Sequence, residues 1–226
     1  MIEQPHNRWH RLAAEIAAFL LAAVCPGCDA PGVLLCERCR SELVPSPIEV
    51  CTPSGLLVRA ALPFDAVAAR CIRRLKGEGD TLLARPLGAA LAPVLLPALA
   101  AGAHPVPIPT SRAAFRRRGY RVPDLLISSA GAEPWRLLRH RGQHADQRGL
   151  GIRERAQNVR GSLSVRAQGH GARVVLVDDV VTTGATFDEG FRVLTEAGFE
   201  VIGAVALAAT IRHRAPIADS LVTRRN

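Results

Sequence analysis

The spacing of apolar and polar positions divides the chain into strand-like and helix-like segments in alternation. Gly55 to Phe64 carries Leu56, Leu57 and Val58, then Ala60 to Leu62, and reads as a strand or strand pair. Phe64 to Leu75 reads as a helix that stops at Gly77, inside the turn Lys76-Gly77-Glu78-Gly79-Asp80. Thr81 to Leu99 is a second helical stretch rich in Ala and Leu, which Pro86 and Pro93 are expected to bend or divide. Val106-Pro107-Ile108-Pro109-Thr110-Ser111-Arg112 is a strand end opening into a rigid loop, because proline lacks the N–H that a central strand needs. Val174, Val175, Leu176 and Val177 form a short run without alternation, as suits a strand covered on both faces of a parallel sheet. The chain is expected to leave that sheet near Asp178. A helix follows, with Phe187, Phe191 and Leu194 as its i, i+4, i+7 stripe, Thr186 and Glu189 as its capping box, and Gly198 as its C-terminal stop. Val201 to Ala209 is a further apolar strand. The implied class is α/β, with helices flanking a mostly parallel sheet.

With 226 residues and 24.1 kDa the chain can bury a full core, as one main domain with a small appendage. Pro45, Pro47 and Pro53 bracket a linker, so the boundary is set near residue 48, dividing 1–48 from 49–226. Leu12 to Val24, interrupted by Glu15, falls well short of the roughly 20 apolar residues that span a bilayer. It reads as an amphipathic helix packed through Trp9, Leu12, Ile16, Phe19 and Leu20, without membrane insertion. No secretory signal is recognisable, and a cytoplasmic location is expected. Trp135 to Val159 is short of apolar residues and dense in Arg, Gln and His, which suits either a loop covering a site or a solvated insertion.

Charge narrows the ligand class. A formal net charge of +9 suits a polyanion, either a pyrophosphorylated sugar or nucleic acid. Arg116, Arg117 and Arg118 form a basic surface that either reaches a phosphate or is a solvated helix face. Lys76 is the only lysine, and it and Arg118 are taken as candidate phosphate contacts. No G-x-x-x-x-G-K-[ST] loop is present, which disfavours a P-loop nucleotidase.

Four cysteines form Cys25-Pro-Gly-Cys28 and Cys36-Glu-Arg-Cys39, two C-x-x-C pairs that read as one tetrahedral structural zinc site. A redox pair, two disulfides or an iron-sulfur centre are the alternatives, and the lack of a secretory signal argues for a reducing compartment. Cys51 and Cys71 are expected to be ordinary small buried residues.

The densest chemistry lies in Arg173 to Glu189, RVVLVDDVVTTGATFDE. Asp178 and Asp179 at a strand's carboxyl end should face a crevice, where they can accept hydrogen bonds from vicinal ribose hydroxyls or help hold a divalent metal. Thr182, Thr183, Gly184, Ala185 and Thr186 then bring hydroxyls and backbone N–H groups to the positive end of a helix, a setting that favours phosphate.

This segment resembles the phosphoribosyl diphosphate (PRPP) binding motif of type I phosphoribosyltransferases. Adding the cysteine pairs, Leu75-Lys76-Gly77, Val106-Pro107-Ile108-Pro109, Arg118-Gly119-Tyr120 and the Gln147 to Asn158 stretch, the chain is similar to the ComF family over roughly residues 12 to 210. The resemblance implies a type I phosphoribosyltransferase fold with a small zinc-ribbon-like segment at its N-terminal end. It implies that Asp178 and Asp179 bind the ribose and that Thr182, Thr183, Gly184 and Thr186 form the 5′-phosphate loop. Ile108, Pro109, Thr110 and Ser111 take the place of the pyrophosphate loop, and Arg139, Arg141, Gln147, Arg155 and Asn158 that of a flexible loop. The implied reaction displaces pyrophosphate from C1 of the ribose of PRPP with Mg²⁺, through an oxocarbenium-like transition state. Tyr120 and Phe187 are the aromatic candidates for stacking on a base, with core packing the more natural role for Phe187. The family name links such proteins to DNA uptake, so a single-stranded DNA binding module with a non-catalytic PRPP-type site, partnered by competence proteins, is the alternative. A regulatory sensor of PRPP is a third reading.

Overall fold

Two proline-rich edges and a run of buried valines set the sheet. The computed structural model describes residues 24–77, 79–141 and 159–210. The first strand, β1 (Ile48–Cys51), pairs antiparallel with β2 (Leu57–Pro63). β1 lies inside the stretch read from its prolines as a linker. Its four residues carry no proline, and the prolines that suggested a linker only flank it at the edge of the sheet. Strands β3 (His104–Pro107), β6 (Arg173–Val181) and β7 (Glu200–Ala209) complete a five-stranded sheet of order β1-β2-β7-β6-β3. Apart from β1 every pairing is parallel. β3 is the other edge, so Pro105 and Pro107 fit within it. Short strands β4 (Leu138–His140) and β5 (Leu163–Val165) form a separate antiparallel ribbon.

Helix α1 (Glu37–Ser41) lies in the cysteine segment and is capped by Cys36. Helix α2 (Ala66–Gly77) ends within the turn expected from its glycines. A 3₁₀ turn (Thr81–Leu83) then leads into α3 (Ala84–Ala100), which runs undivided through Pro93 and Pro97. The expected break is absent for a simple reason. Ala89, Pro93 and Pro97 recur every four residues on the solvent face, so the carbonyls that prolines leave unbonded can meet water. Thr81–Ala100 is long and apolar enough to cross a membrane by length and composition alone. Its buried Leu87, Leu91 and Leu95 nonetheless join the core beside the sheet. Helices α4 (Arg112–Arg118), α5 (Val122–Ser129) and α6 (Ala185–Glu196) follow.

The sheet divides two apolar clusters. Val175 and Val177 pack with residues of α2, α3 and α5. Val174 and Leu176 pack on the other face with Phe187 and Leu194 of α6 and Leu138 and Leu163 of the ribbon. Cys25, Cys39 and Leu43 belong to the first cluster, so the cysteine segment shares the core of the body across residue 48. Cys71 is buried as expected, whereas Cys51 is exposed on edge strand β1.

Candidate functional site

Parallel pairing brings the carboxyl ends of β2, β3, β6 and β7 to one edge of the sheet, and the chemistry collects there. The acids do not mark the exit of the chain. β6 continues past them, pairing Asp178 with Ala206 and Val181 with Ala209. Strand alternation then sends the two carboxylates to opposite faces. Asp179 is buried on the α2 side and meets Lys76, with Nζ at 2.7 Å from Oδ1. Asp178 is partly exposed, and its Oδ1 accepts the N–H of Asp179 at 2.8 Å. Burial, and after it the charge of Asp179, hold the Asp178 carboxyl well above the usual carboxylate range. The lone lysine is therefore brought to the acid pair.

Beyond Val181 the turn passes through exposed Thr182 and half-buried Thr183 to Gly184, which stands at the N-cap of α6 with φ 78°. Thr183 Oγ1 accepts the N–H of Ala185 at 3.4 Å. The expected capping box of Thr186 and Glu189 does not form, and the N-cap, Gly184, has no side chain to offer, so Thr183 alone meets the first N–H of the helix. Glu189 points instead to the ribbon, where it accepts the N–H groups of Gly161 (2.8 Å) and Leu163 (3.4 Å) and pairs with Arg192 at 2.8 Å. The start of α6 is thus left open to an anion.

The hairpin turn between β1 and β2 supports that turn from below. A Cβ on Gly184 would lie 2.6 Å from Thr52 Cγ2, so only glycine meets both the left-handed backbone and the close approach. Ser54 donates its N–H to Asp188 Oδ2 at 3.1 Å and its hydroxyl to Oδ1. None of Thr52, Ser54 and Asp188 was singled out from the sequence. Only Pro53 and Gly55, as turn residues, hinted at a tight connection there.

Just past β3, Ile108 is buried and donates its N–H to Val177 O at 2.8 Å. Pro109 and Thr110 are half-buried, and Ser111 caps α4 through the N–H of Ala114 at 3.2 Å. His140 of the ribbon lies 2.9 Å from Pro109 O through Nε2, a contact sequence reasoning missed. Arg118 Nε donates to Ala114 O at 3.2 Å, and Arg139 Nε to Ser164 Oγ at 3.1 Å. Arg141 is exposed and donates its backbone N–H to Ser162 O. Gln147, Arg155, Asn158 and the N-terminal helix lie outside the described residues. Tyr120 is half-buried against the first cluster and donates its hydroxyl to Leu75 O, while Phe187 is core and has no face free for a base.

The cysteines form a second centre. The sulfurs of Cys25, Cys28, Cys36 and Cys39 lie within 4.8 Å of one another, with Cys28 and Cys36 at 3.6 Å. A tetrahedral metal with bonds of about 2.3 Å separates its sulfurs by about 3.8 Å, so the donor set fits one ion. Burial resists ionisation of Cys25, yet the N–H groups of Cys36, Gly27 and Cys28 draw its thiol down to about 6. Cys39 is pushed the other way, first by burial and then by the neighbouring sulfurs. A cation in the cluster would let the remaining thiols ionise.

The family described as phosphoribosyl transferase domain matches residues 117–223. A competence protein F from Haemophilus influenzae is 33% identical over 113 residues, 46% of this chain and 48% of that protein. The chain thus spans about half the length of the curated relative it matches. Among solved structures, an adenine phosphoribosyltransferase aligns over 76% of this chain and 89% of its own, with a TM-score of 0.41 and 15% identity. An orotate phosphoribosyltransferase from Aeropyrum pernix aligns over 76% and 80%, with a TM-score of 0.35 and 18% identity. The mostly parallel sheet with helices on both faces, carrying its acids at the carboxyl edge, is a type I phosphoribosyltransferase fold. With four clustered cysteines ahead of that domain, the chain is similar to competence protein F over the part the two share.

Proposed function

We propose that the carboxyl edge binds PRPP as a Mg²⁺-dependent phosphoribosyltransferase-type site, in a cytoplasmic protein whose cysteine cluster holds a structural zinc ion. The observation that carries the reading is the continuity of the acid pair on β6 with the Thr182–Thr186 turn and the glycine-started N-terminus of α6. In this reading Asp178 and Asp179 accept the ribose 2′- and 3′-hydroxyls, and Lys76 holds Asp179 in place. Thr182, Thr183 and Thr186 supply hydroxyls, and the first N–H groups of α6 supply the positive dipole end, to the 5′-phosphate. The Ile108–Ser111 segment, pinned by its bonds to Val177 and His140, lies where it can border the pyrophosphate. Bound Mg²⁺ supplies charge neutralisation on the leaving pyrophosphate. The chain's own contribution is to position the sugar and exclude water, so that the C1–O bond can break under electrostatic stabilisation. Aromatic residues are only 4% of the chain, which favours a sugar-phosphate ligand over a stacked single strand.

Calorimetry of PRPP with Mg²⁺ tests the reading in the native chain and in the paired variant Asp178→Asn/Asp179→Asn. Measurable binding to the native chain and at least about a tenfold loss in the variant is expected, from removal of both carboxyl groups that would accept the ribose hydroxyls. Equal affinity in the two removes the acids from the site and the reading with them.

A further inference from the structure

Helix α2 touches both centres. Val67, Arg70 and Arg74 lie on the side that meets the first cysteine knuckle. Arg70 Nη1 donates to Gly27 O at 3.1 Å and lies 3.5 Å from Asp29 Oδ2, while Arg74 Nη2 is 2.8 Å from Asp29 Oδ1. Gly27 fits closely into this contact. A Cβ there would sit 2.6 Å from Cys39 Sγ and 3.1 Å from Val67 Cγ1. Asp29 stands one residue past Cys28 with φ 62°, so the fold of the knuckle sets where its carboxylate points. From Arg70 to Lys76 the helix rises about 9 Å. At its far end Lys76 holds Asp179 at 2.7 Å, and Leu75 O accepts the Tyr120 hydroxyl. One rigid element therefore joins the loop between two metal-ligating thiols to the buried member of the acid pair.

We infer that the four-cysteine segment is a positioning element for the acid pair. With metal in the cluster, Asp29 and Gly27 seat α2 through Arg70 and Arg74, and the seated helix presents Lys76 to Asp179. Metal loading and ligand binding at the carboxyl edge are then coupled, and the coupling is reciprocal. The ligand side of this inference rests on the PRPP reading; the placement of Lys76 does not. The ion pairs are partly exposed and each adds little to stability, so global stability is a poor gauge of the effect. The position of Lys76 is the direct one.

Because Lys76 is the only lysine, reductive ¹³C-dimethylation of the intact, metal-loaded chain puts a single side-chain NMR probe at the end of α2. Dimethylation keeps the charge and one N–H. The probe is recorded in the native chain, in Asp29→Asn and Arg74→Ala, and after metal is stripped with a chelator. Asp179→Asn serves as the reference for an unpaired Lys76. Asparagine tolerates the left-handed backbone at position 29, so Asp29→Asn removes only the charge that the two arginines share. Expected is a shift of the resonance toward the reference on stripping, in Asp29→Asn and in Arg74→Ala. Metal content of the variants stays stoichiometric, and their affinity for PRPP with Mg²⁺ falls about fivefold or more. An unmoved resonance in folded, metal-loaded Asp29→Asn overturns the inference, whatever the ligand does. Should stripping unfold the chain, the variants decide alone. A moved resonance in a chain that binds no PRPP supports the positioning role and overturns the PRPP reading instead.

Discussion

At the scale of single residues, Asp178 and Asp179 differ more than their adjacency suggests. Asp179 is buried and paired with Lys76, while Asp178 carries the burden of burial with a like charge beside it and sits well above the usual carboxylate range. The sign follows from proton counting. Between the unfolded and the raised folded pKa the folded state holds the extra proton, so stability falls as pH rises through that window. Asp178→Asn removes the titration and keeps an oxygen for the N–H of Asp179. Urea melts from about pH 4 to about pH 8 should show the variant more stable than the native chain at the upper end, with a flatter pH dependence. A native chain whose stability rises with pH at the same rate as the variant's would contradict the assignment. The presence of two acids was legible from the sequence because carboxylates after an apolar run need a polar setting. Their division of labour was not, because it depends on which face of β6 meets α2, a fact of tertiary packing.

At the scale of elements, Glu189 shows how a local rule can be overridden. Its spacing from Thr186 satisfies the capping-box pattern, but the glutamate is buried and serves the ribbon that lies over α6. Burial alone would raise its pKa, yet Arg192 and the N–H groups of Leu163 and Gly161 bring it below the ordinary value. The stability it contributes is therefore present above its unfolded pKa and lost as pH falls through the folded one. Glu189→Ala leaves the N–H groups of Gly161 and Leu163 without their acceptor and should cost about 1–3 kcal/mol in denaturant melts, with faster amide exchange at those two positions. Unchanged exchange there would mean that the ribbon is held by other contacts. The long regular elements were legible: α2, β7 and the stop at Gly198 lie within a residue or two of their expected places. What escaped were short elements with little periodicity of their own. β1 hides among prolines, β5 has three residues, and α5 spans Val122–Ser129 behind an N-terminal proline. Each is stabilised by what it packs on rather than by its own pattern.

At the scale of the whole molecule, the question is whether the cysteine segment is a separate body. Composition placed a boundary near residue 48, where prolines cluster. The packing crosses that line. Cys25, Cys39 and Leu43 share a buried cluster with Leu62, Val67 and Cys71, and Arg70 and Arg74 bind the knuckle from α2. A sequence pattern cannot show this, because two short metal knuckles read the same whether they stand free or lean on a helix. If the segment draws its stability from metal and passes it to α2, removal of one ligand must weaken the body as well. Cys36→Ser tests this with the mildest change, since Cys36 is only half-buried and its sulfur caps α1 through Cys39 N–H at 3.5 Å, a bond a hydroxyl can replace. Calorimetric melting should show one transition displaced downward, by about 2–4 °C for each kcal/mol lost in a chain of this size. An early minor transition followed by an unshifted main one would mean that the segment melts alone. That outcome would also remove the mechanical link through which its metal is argued to place Lys76.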